Sequence, residues 1–509
     1  MNSIFPIKTI FVLSLIYCFV ASTETGLAQI SQNKLHVNFT VIMDDASENY
    51  SDSIVFDMSK NDINSSISSE TDLYKFKISS ARVTFNIPLS TAINYGRIKC
   101  YNDKEQSFNG LDNSNNLFIF QADDSVVIHL SNKRNGVFFA GKNADKFNCL
   151  YQLNNEDYFI NYKTFNAYAK INKWDDAYNS LIPMRDSIFI SRINLLKTYN
   201  GKIDPEINAL IIIDCWARCN QRVVGFCFAP YTLSKASEQY PAAEKLFFKY
   251  YSNYEEKLVY NQKFFVKSYN YGDFLNDKEN AFVIISKSTA KESYFSNFKF
   301  QDINNAIDLH YKASPLKDKL KLLAFSSFDW KRQGDFINYI DRTINEAGSN
   351  SFKASLKKFK SSMATGVDIF PFEMIDKNGK KYTIKDFAGK EVVIDFWFTG
   401  CKGCVQMASS LKPIVIEYGT QPNIVFVSIS IDTNKKLWLS SLKEQTYCSP
   451  HEVNLLEGLN GNSSFVRHYS VNEYPTLIVI SKAGKILSVT PPDPRTNPSE
   501  FKAFLEQNL

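Results

Sequence analysis

The chain has 509 residues, more than one hydrophobic core usually serves, so it divides into roughly two to four domains. Lys and Arg number 58 against 53 Asp and Glu, a formal charge of +5, and no basic tract exceeds "LKKFK" at 356–360, which leaves nucleic-acid binding without electrostatic support. Apolar residues make up 44% and charged residues 22%, ordinary for a folded protein, so most of the 41 Phe and 27 Tyr rings belong to cores.

The first residues read "MNSIFPIKTIFVLSLIYCFVASTETGLAQ". Lys8 precedes an apolar run, Phe11 to Ala21, shorter than the ~20 residues a membrane span needs, and the small residues Gly26 and Ala28 stand before Gln29. This is the layout of a secretory signal peptide over 1–28, cleaved after Ala28, and it implies export to the periplasm or cell envelope. Membrane association would come only through an uncleaved signal segment. Tyr17, bulky and just before Cys18, argues against lipid attachment there. Outside the cytoplasm thiols oxidise unless something reduces them.

Residues 29–150 alternate apolar and polar side chains in short runs, "LHVNFTVIM", "LYKFKI", "ARVTFNI", "NLFIFQA" and "SVVIHL", separated by Asn, Asp, Ser and Gly. Period-two runs at this spacing predict an antiparallel β domain resembling a small sandwich. His36 and His129 fall inside strand patterns, where a lone His is a packed or solvated side chain. From 156 to 350 the spacing becomes helical, as in "FNAYAKINKWDDAYNSLIPMRDSIFISRINLLKTY", and predicts an all-α middle domain. Its aromatic stripes are read as core packing rather than a ligand groove, and Cys215 and Cys219 as buried thiols on one helix. Small, polar and basic residues across 351–365 suggest a linker after a helix end.

Residues 366–509 change character again. Asn378-Gly379 between two strand-like runs predicts a hairpin, "EVVIDFWF" a central strand, and the region from Lys402 a helix. "NIVFVSISID" reads as a buried strand and "KKLWLSSLK" as a helix. "PTLIVISKAGKILSVT" reads as strand, turn and strand, and "SEFKAFLEQN" as a terminal helix. The alternation implies an α/β unit.

Cys401 and Cys404 stand three apart at the junction between the central strand and the helix. There the unpaired N–H groups and the macrodipole favour a thiolate at Cys401, Lys402 adds positive charge, and Cys404 lies nearly one turn on, able to attack a mixed disulfide. Asp395, within a run of Val, Ile, Phe and Trp, would be desolvated, with its pKa raised, and a buried acid suits proton exchange with the resolving thiol. An edge-strand Asp facing water is the plainer alternative.

These residues resemble exported thioredoxin-fold thiol-disulfide oxidoreductases of the TlpA/ResA-like kind, over about 366–509. The resemblance puts Cys401-Lys402-Gly403-Cys404 on the CxxC active site, Asp395 on the buried acid of thioredoxin, and Pro475 of "NEYPTLIVI" on the cis-proline, with the backbone of Tyr474 pairing with the substrate. Gly400 replaces the usual Trp, Gly403 the usual Pro, and Tyr474 a smaller residue. The layout of β domain, helical middle and terminal thioredoxin domain is similar to multidomain proteins of the Bacteroidetes type.

A Cys₃His metal site combining Cys401 and Cys404 with Cys448 and His451 would need distant segments to converge and would leave Asp395 and Pro475 without a role. A structural disulfide closing so short a loop would contribute little stability. The reading is therefore an enzyme that reduces disulfides of exported client proteins, fed by a membrane thiol-transfer donor as the resemblance implies. It needs no metal and no cofactor beyond the Cys401-Cys404 couple. The alternative is a cell-envelope binding or scaffold protein with a structural or vestigial thioredoxin-like domain.

Overall fold

The computed structural model describes residues 35–43, 51–60, 63–64, 67, 71–102, 111, 116–131, 136–155, 163–233, 236–252, 260–326, 336–457, 464–469, 471 and 473–508. The expected signal peptide lies outside the described residues. No described helix is long and apolar enough to cross a membrane.

Eight strands come first: β1 (His36–Met43), β2 (Ser51–Ser59), β3 (Thr71–Lys77), β4 (Arg82–Pro88), β5 (Ile93–Asn102), β6 (Leu117–Gln121), β7 (Ser125–Ser131) and β8 (Gly136–Lys142). They form two four-stranded sheets, ordered β4-β1-β7-β8 and β3-β2-β5-β6. Alternation decides which way each strand faces: in β1, Val37, Phe39, Val41 and Met43 are buried while their neighbours are not. Phe39 meets Phe56 of the other sheet at 5.1 Å between ring centroids. Every pairing is antiparallel except β1 with β7, which run parallel. After β1 the chain crosses to the second sheet, returns as antiparallel β4, crosses again and re-enters as β7 in the direction of β1, a matter of topology that alternation does not encode.

The helix Ala144–Asn155 crosses the expected end of the β domain at 150, because its Phe147, Cys149 and Leu150 complete the core of the sandwich. The middle of the chain is helical as expected. Its longest helix, Pro205–Phe228, begins with Asp204 accepting hydrogen bonds from the N–H groups of Glu206 and Ile207, with Pro205 where no N–H is needed. Leu210 and Cys215 on this helix join the sandwich core, whereas Ile213 and Val224 join the helical core. Cys215 and Cys219 are buried free thiols. The aromatic stripes pack as core, with Tyr251, Tyr271 and Phe274 buried in the helical cluster and Trp216 against it, and these four rings also line a cavity of about 620 Å³, none of whose walls comes from 366–509.

The stretch 351–365 is not a linker. It is largely a helix, Asn350–Ser362, with Phe352, Leu356 and Phe359 buried on one face. Serines and lysines dominate the composition, but the apolar residues keep helical spacing, and spacing rather than average polarity decides. The chain then joins the C-terminal sheet almost at once, through Thr365 Oγ1 to the Leu487 carbonyl and the Gly366 N–H to the Ile486 carbonyl, at 3.2 and 2.8 Å.

That sheet has seven strands, β9 (Glu373–Ile375), β10 (Lys381–Thr383), β11 (Glu391–Trp397), β12 (Ile424–Ser430), β13 (Val453–Leu456), β14 (Thr476–Ile480) and β15 (Ile486–Ser488), ordered β10-β9-β13-β12-β11-β14-β15. β9 and β10 form the expected hairpin, with Gly379 at φ 84° in the turn. β11 lies between parallel β12 and antiparallel β14, and all of its residues are buried. Alternate residues of β11 face opposite ways. Ile394 and Phe396 belong to one cluster, continuous with the helical core, while Val393 packs with Met407 of the helix Lys402–Tyr418 and Trp397 packs with the two cysteines. The short strand β13 and the helix Ser464–His468 were not anticipated from sequence.

Candidate active site

β11 ends at Trp397, and the four residues Phe398–Cys401 turn the chain into the helix Lys402–Tyr418. Each is fixed. The Thr399 N–H and hydroxyl both donate to the Asp432 carboxylate, at 3.0 and 2.8 Å, and the Gly400 N–H donates to the Tyr447 hydroxyl at 2.9 Å. Tyr447 in turn stacks on Trp397, ring centroids 5.1 Å apart and almost parallel at 5°. Gly400 has φ +97°, a conformation in which any side chain is strained, and this accounts for glycine where the resembled family has Trp.

Cys401 is the N-cap of the helix. Its Sγ accepts the Cys404 N–H at 3.1 Å and is joined to Cys404 Sγ in a disulfide, with the two Cα atoms 5.3 Å apart. A sulfur so placed sits on the positive end of a helix of 17 residues, which stabilises a thiolate once the bond is reduced. Cys401 is only 6% exposed, less open than a freely accessible nucleophile, and Cys404 is fully buried at 0%. Lys402 is exposed on the first turn.

The Tyr474–Pro475 peptide is cis. The active-site turn and this loop touch: a Cβ built on Gly403 would lie 3.1 Å from Pro475 Cδ, 3.5 Å from the Tyr474 carbonyl oxygen and 3.6 Å from Arg495 Nη1. Of these only the Pro475 contact is tighter than ordinary van der Waals distance, so a side chain at 403 would press on the cis-proline ring. Tyr474 packs edge-on against Phe398 at 5.5 Å, and its bulk fills the rim of the cysteine cluster.

Asp395 is 3% exposed, and burial drives its carboxyl well above the usual range, with the neighbouring Glu452 raising it further and Arg495 opposing. The edge-strand alternative is thereby excluded, since β11 is flanked on both sides. Asp395 shares its face of β11 with Val393 and Trp397, the residues that meet Met407 and the cysteines, so it lies beneath the helix that carries Cys404.

Sequence reasoning missed several residues here. Trp438 and Cys448 pack with the cysteine pair, and burial pushes the Cys448 thiol up to about 12. Cys448 therefore does come against Cys401 and Cys404, but His451 is exposed, and no group of three or more donors suited to a metal occurs among the described residues. Asp432 carried a signal in its position closing the strand "VFVSISID"; Glu452, Trp438 and Arg495 carried none.

Residues 389–486 match a protein-family model described as thioredoxin-like. The C-terminal region is a thioredoxin-like domain. Over 128 residues it is 23% identical to the thiol-disulfide oxidoreductase ResA of Bacillus cereus, covering 25% of this chain and 70% of that protein. The ResA of Bacillus subtilis is 25% identical over 130 residues, covering 26% of this chain and 69% of the relative. Among solved structures, a Bacteroides vulgatus protein assigned to the thiol-disulfide oxidoreductases is 26% identical, covering 29% of this chain and 99% of its own, with a TM-score of 0.26. The thioredoxin-like domain is TlpA/ResA-like and is that of a thiol-disulfide oxidoreductase.

Proposed function

We propose that this protein is an exported thiol-disulfide oxidoreductase that reduces disulfides of client proteins in the periplasm or cell envelope. The observation that carries the reading is the Cys401–Cys404 disulfide at the N-terminus of the helix Lys402–Tyr418, against Pro475 and above the buried Asp395.

In the reduced enzyme the Cys401 thiolate attacks a client disulfide, forming an intermolecular S–S bond and releasing one client sulfur as a thiolate that takes up a proton. Cys404 then attacks Cys401 Sγ, giving its proton to Asp395, so that the Cys401–Cys404 bond forms and the second client sulfur leaves. Asp395 can take part because desolvation raises its carboxyl well above the ordinary carboxylate range, which strengthens it as a proton acceptor. The Tyr474 backbone, Pro475 and the Lys402 side chain line the place where the client chain lies. The returning electrons come from a membrane thiol-transfer protein, since an isolated dithiol in an oxidising compartment cannot reduce itself. The dithiol supplies the whole redox chemistry, and neither metal nor organic cofactor is called for.

Cells producing the Cys404→Ser protein should accumulate mixed disulfides between Cys401 and exported proteins, separable after acid quench and identified by mass. Recovery of no such adducts, with Cys401 present as free thiol, would overturn the reading.

A further inference from the structure

The surround of the disulfide is uneven. Gly400 and Gly403, on either side of Cys401 in the chain, bring no side chain to it. Phe398 does: its ring is 37% exposed, whereas Trp397, the residue before it, is closed off at 0%. A single exposed apolar side chain is ordinary on a protein surface. Phe398 stands apart by its place, because the other exposed large apolar residues of the thioredoxin-like domain, Ile416 and Leu437, lie at the far end of the helix Lys402–Tyr418 and on the helix Lys435–Glu444.

Three contacts tie Phe398 to the cysteines. Its carbonyl accepts the Cys401 N–H at 3.2 Å and closes the turn. Its ring meets that of Tyr474 edge-on, at 90° and 5.5 Å between centroids. Tyr474 is joined by the cis peptide to Pro475, whose Cδ lies 3.1 Å from the Cβ position of Gly403. The contacts therefore run from Phe398 through Tyr474 and Pro475 back to the first helical turn, between Cys401 and Cys404. Held by its backbone at the turn and by its ring at Tyr474, Phe398 is a fixed apolar surface with little conformational freedom left to lose on contact.

We propose that Phe398 is a specificity-determining residue for disulfide exchange: its exposed ring, seated on Tyr474, receives an apolar side chain that neighbours the reactive cysteine of the client. This rests on the client-reducing reading above and narrows its substrates to disulfides whose cysteines stand in apolar stretches. For exchange, a client sulfur must come into line with Cys401 Sγ, and the residues next to that cysteine have their Cα atoms only ~3.8 Å from its own. Their side chains are thereby brought to the Phe398–Tyr474 edge. An apolar one covers the ring, and both lose contact with water, which is favourable. A polar one is stripped of water and finds no hydrogen-bond partner on the Phe398 ring. The chemistry is unaltered: the Cys401 thiolate attacks the client sulfur, the new S–S bond forms, and the other client sulfur leaves with the electron pair. Phe398 acts on how firmly the client is held beforehand, so its effect belongs to binding.

The test uses two peptides of equal length and charge, with one central cysteine flanked on both sides by Leu or by Ser, each coupled through a disulfide to the thiol half of Ellman's reagent. Reduced full-length protein is mixed with increasing amounts of each, and release of the coloured thiolate gives a limiting rate and a half-saturating concentration. Wild type should half-saturate at about tenfold lower concentration of the Leu peptide than of the Ser peptide, with similar limiting rates. Phe398→Ala should bring that ratio close to one by weakening the Leu peptide, and Phe398→Leu should restore much of it. Equal half-saturation of the wild type by both peptides overturns the inference without recourse to any variant. So does a ratio that survives Phe398→Ala in a protein whose circular dichroism matches wild type. If the wild type attacks Ellman's reagent but neither peptide, the client-reducing reading itself fails, and the inference falls with it.

Discussion

Arg467 and Asp57 lie 410 residues apart in sequence and form a two-pronged ion pair, Nη1 to Oδ1 at 3.1 Å and Nη2 to Oδ2 at 2.8 Å, which ties the thioredoxin-like domain to strand β2 of the sandwich. Both side chains are largely buried, at 16% and 7% exposure. Burial raises the Asp57 pKa, but Arg467, Arg97 and Lys99 together outweigh it and hold the carboxyl below its ordinary 3.8. The stability this contributes is present above that value and is lost as pH falls through the lower folded value. Arg467→Ala should destabilise the whole chain by about 3 kcal/mol at neutral pH, and by less below about pH 4, as read by urea unfolding. Exchange with a small disulfide should be unchanged.

Asp395→Asn should slow disulfide exchange near neutral pH by something like 10²-fold, in keeping with loss of a general acid-base group. The same change should stabilise the oxidised protein. A raised carboxyl binds its proton more tightly folded than unfolded, so wild-type stability falls as pH climbs from the unfolded value to the folded one. A gain of about 1–3 kcal/mol at pH 8 that shrinks toward pH 4 is expected from thermal melts. Equal melting of both proteins at pH 8 would show that Asp395 carries no burial penalty.

After mild reduction, iodoacetamide should label Cys401 first. Cys401 caps the helix N-terminus, which favours its thiolate, whereas Cys404 is fully buried and burial holds the Cys448 and Cys215 thiols near 12. Peptide mapping over a pH series would show Cys401 reacting below the ordinary thiol range of about 8.5. Earlier labelling of Cys448 would assign it the exposed, activated role instead.

A fragment covering 366–509 contains every residue assigned to the chemistry and should fold and exchange a generic disulfide at a rate within a few-fold of the full chain. It lacks Asp57 and the helical face against Ile394 and Phe396, so its unfolding midpoint should be lower. A folded but inert fragment would mean that an upstream element completes the site.

The placement of the candidate site in the fold was legible because its signals are local. The unbroken apolar run around Asp395 marks a strand covered on both faces, and the CxxC spacing marks a helix start whatever surrounds it. Gly400 and Gly403 looked like departures from a pattern; a positive φ and the approach of Pro475 explain them, and neither can be seen without coordinates. Glu452 was hidden because its environment arises only when β13, a strand of four residues, docks beside β12. The helix Asn350–Ser362 was misread for the opposite reason: Phe352, Leu356 and Phe359 were visible, but polar composition was given more weight than their spacing.

That helix, bonded onto β15 within a few residues of its end, also sets how the enzyme can meet a client. A catalytic head on a flexible leash samples a sphere whose radius grows as the square root of leash length, and so can seek out disulfides at varied distances. Here there is no leash, and Arg467 anchors the far side. The cysteine pair keeps one fixed bearing to the sandwich and the helices, so a client disulfide must be carried to it, on a segment loose enough to reach the Pro475 loop. Under the proposed function this predicts that disulfides locked inside a finished fold exchange slowly for want of reach, before any difference in redox potential is felt.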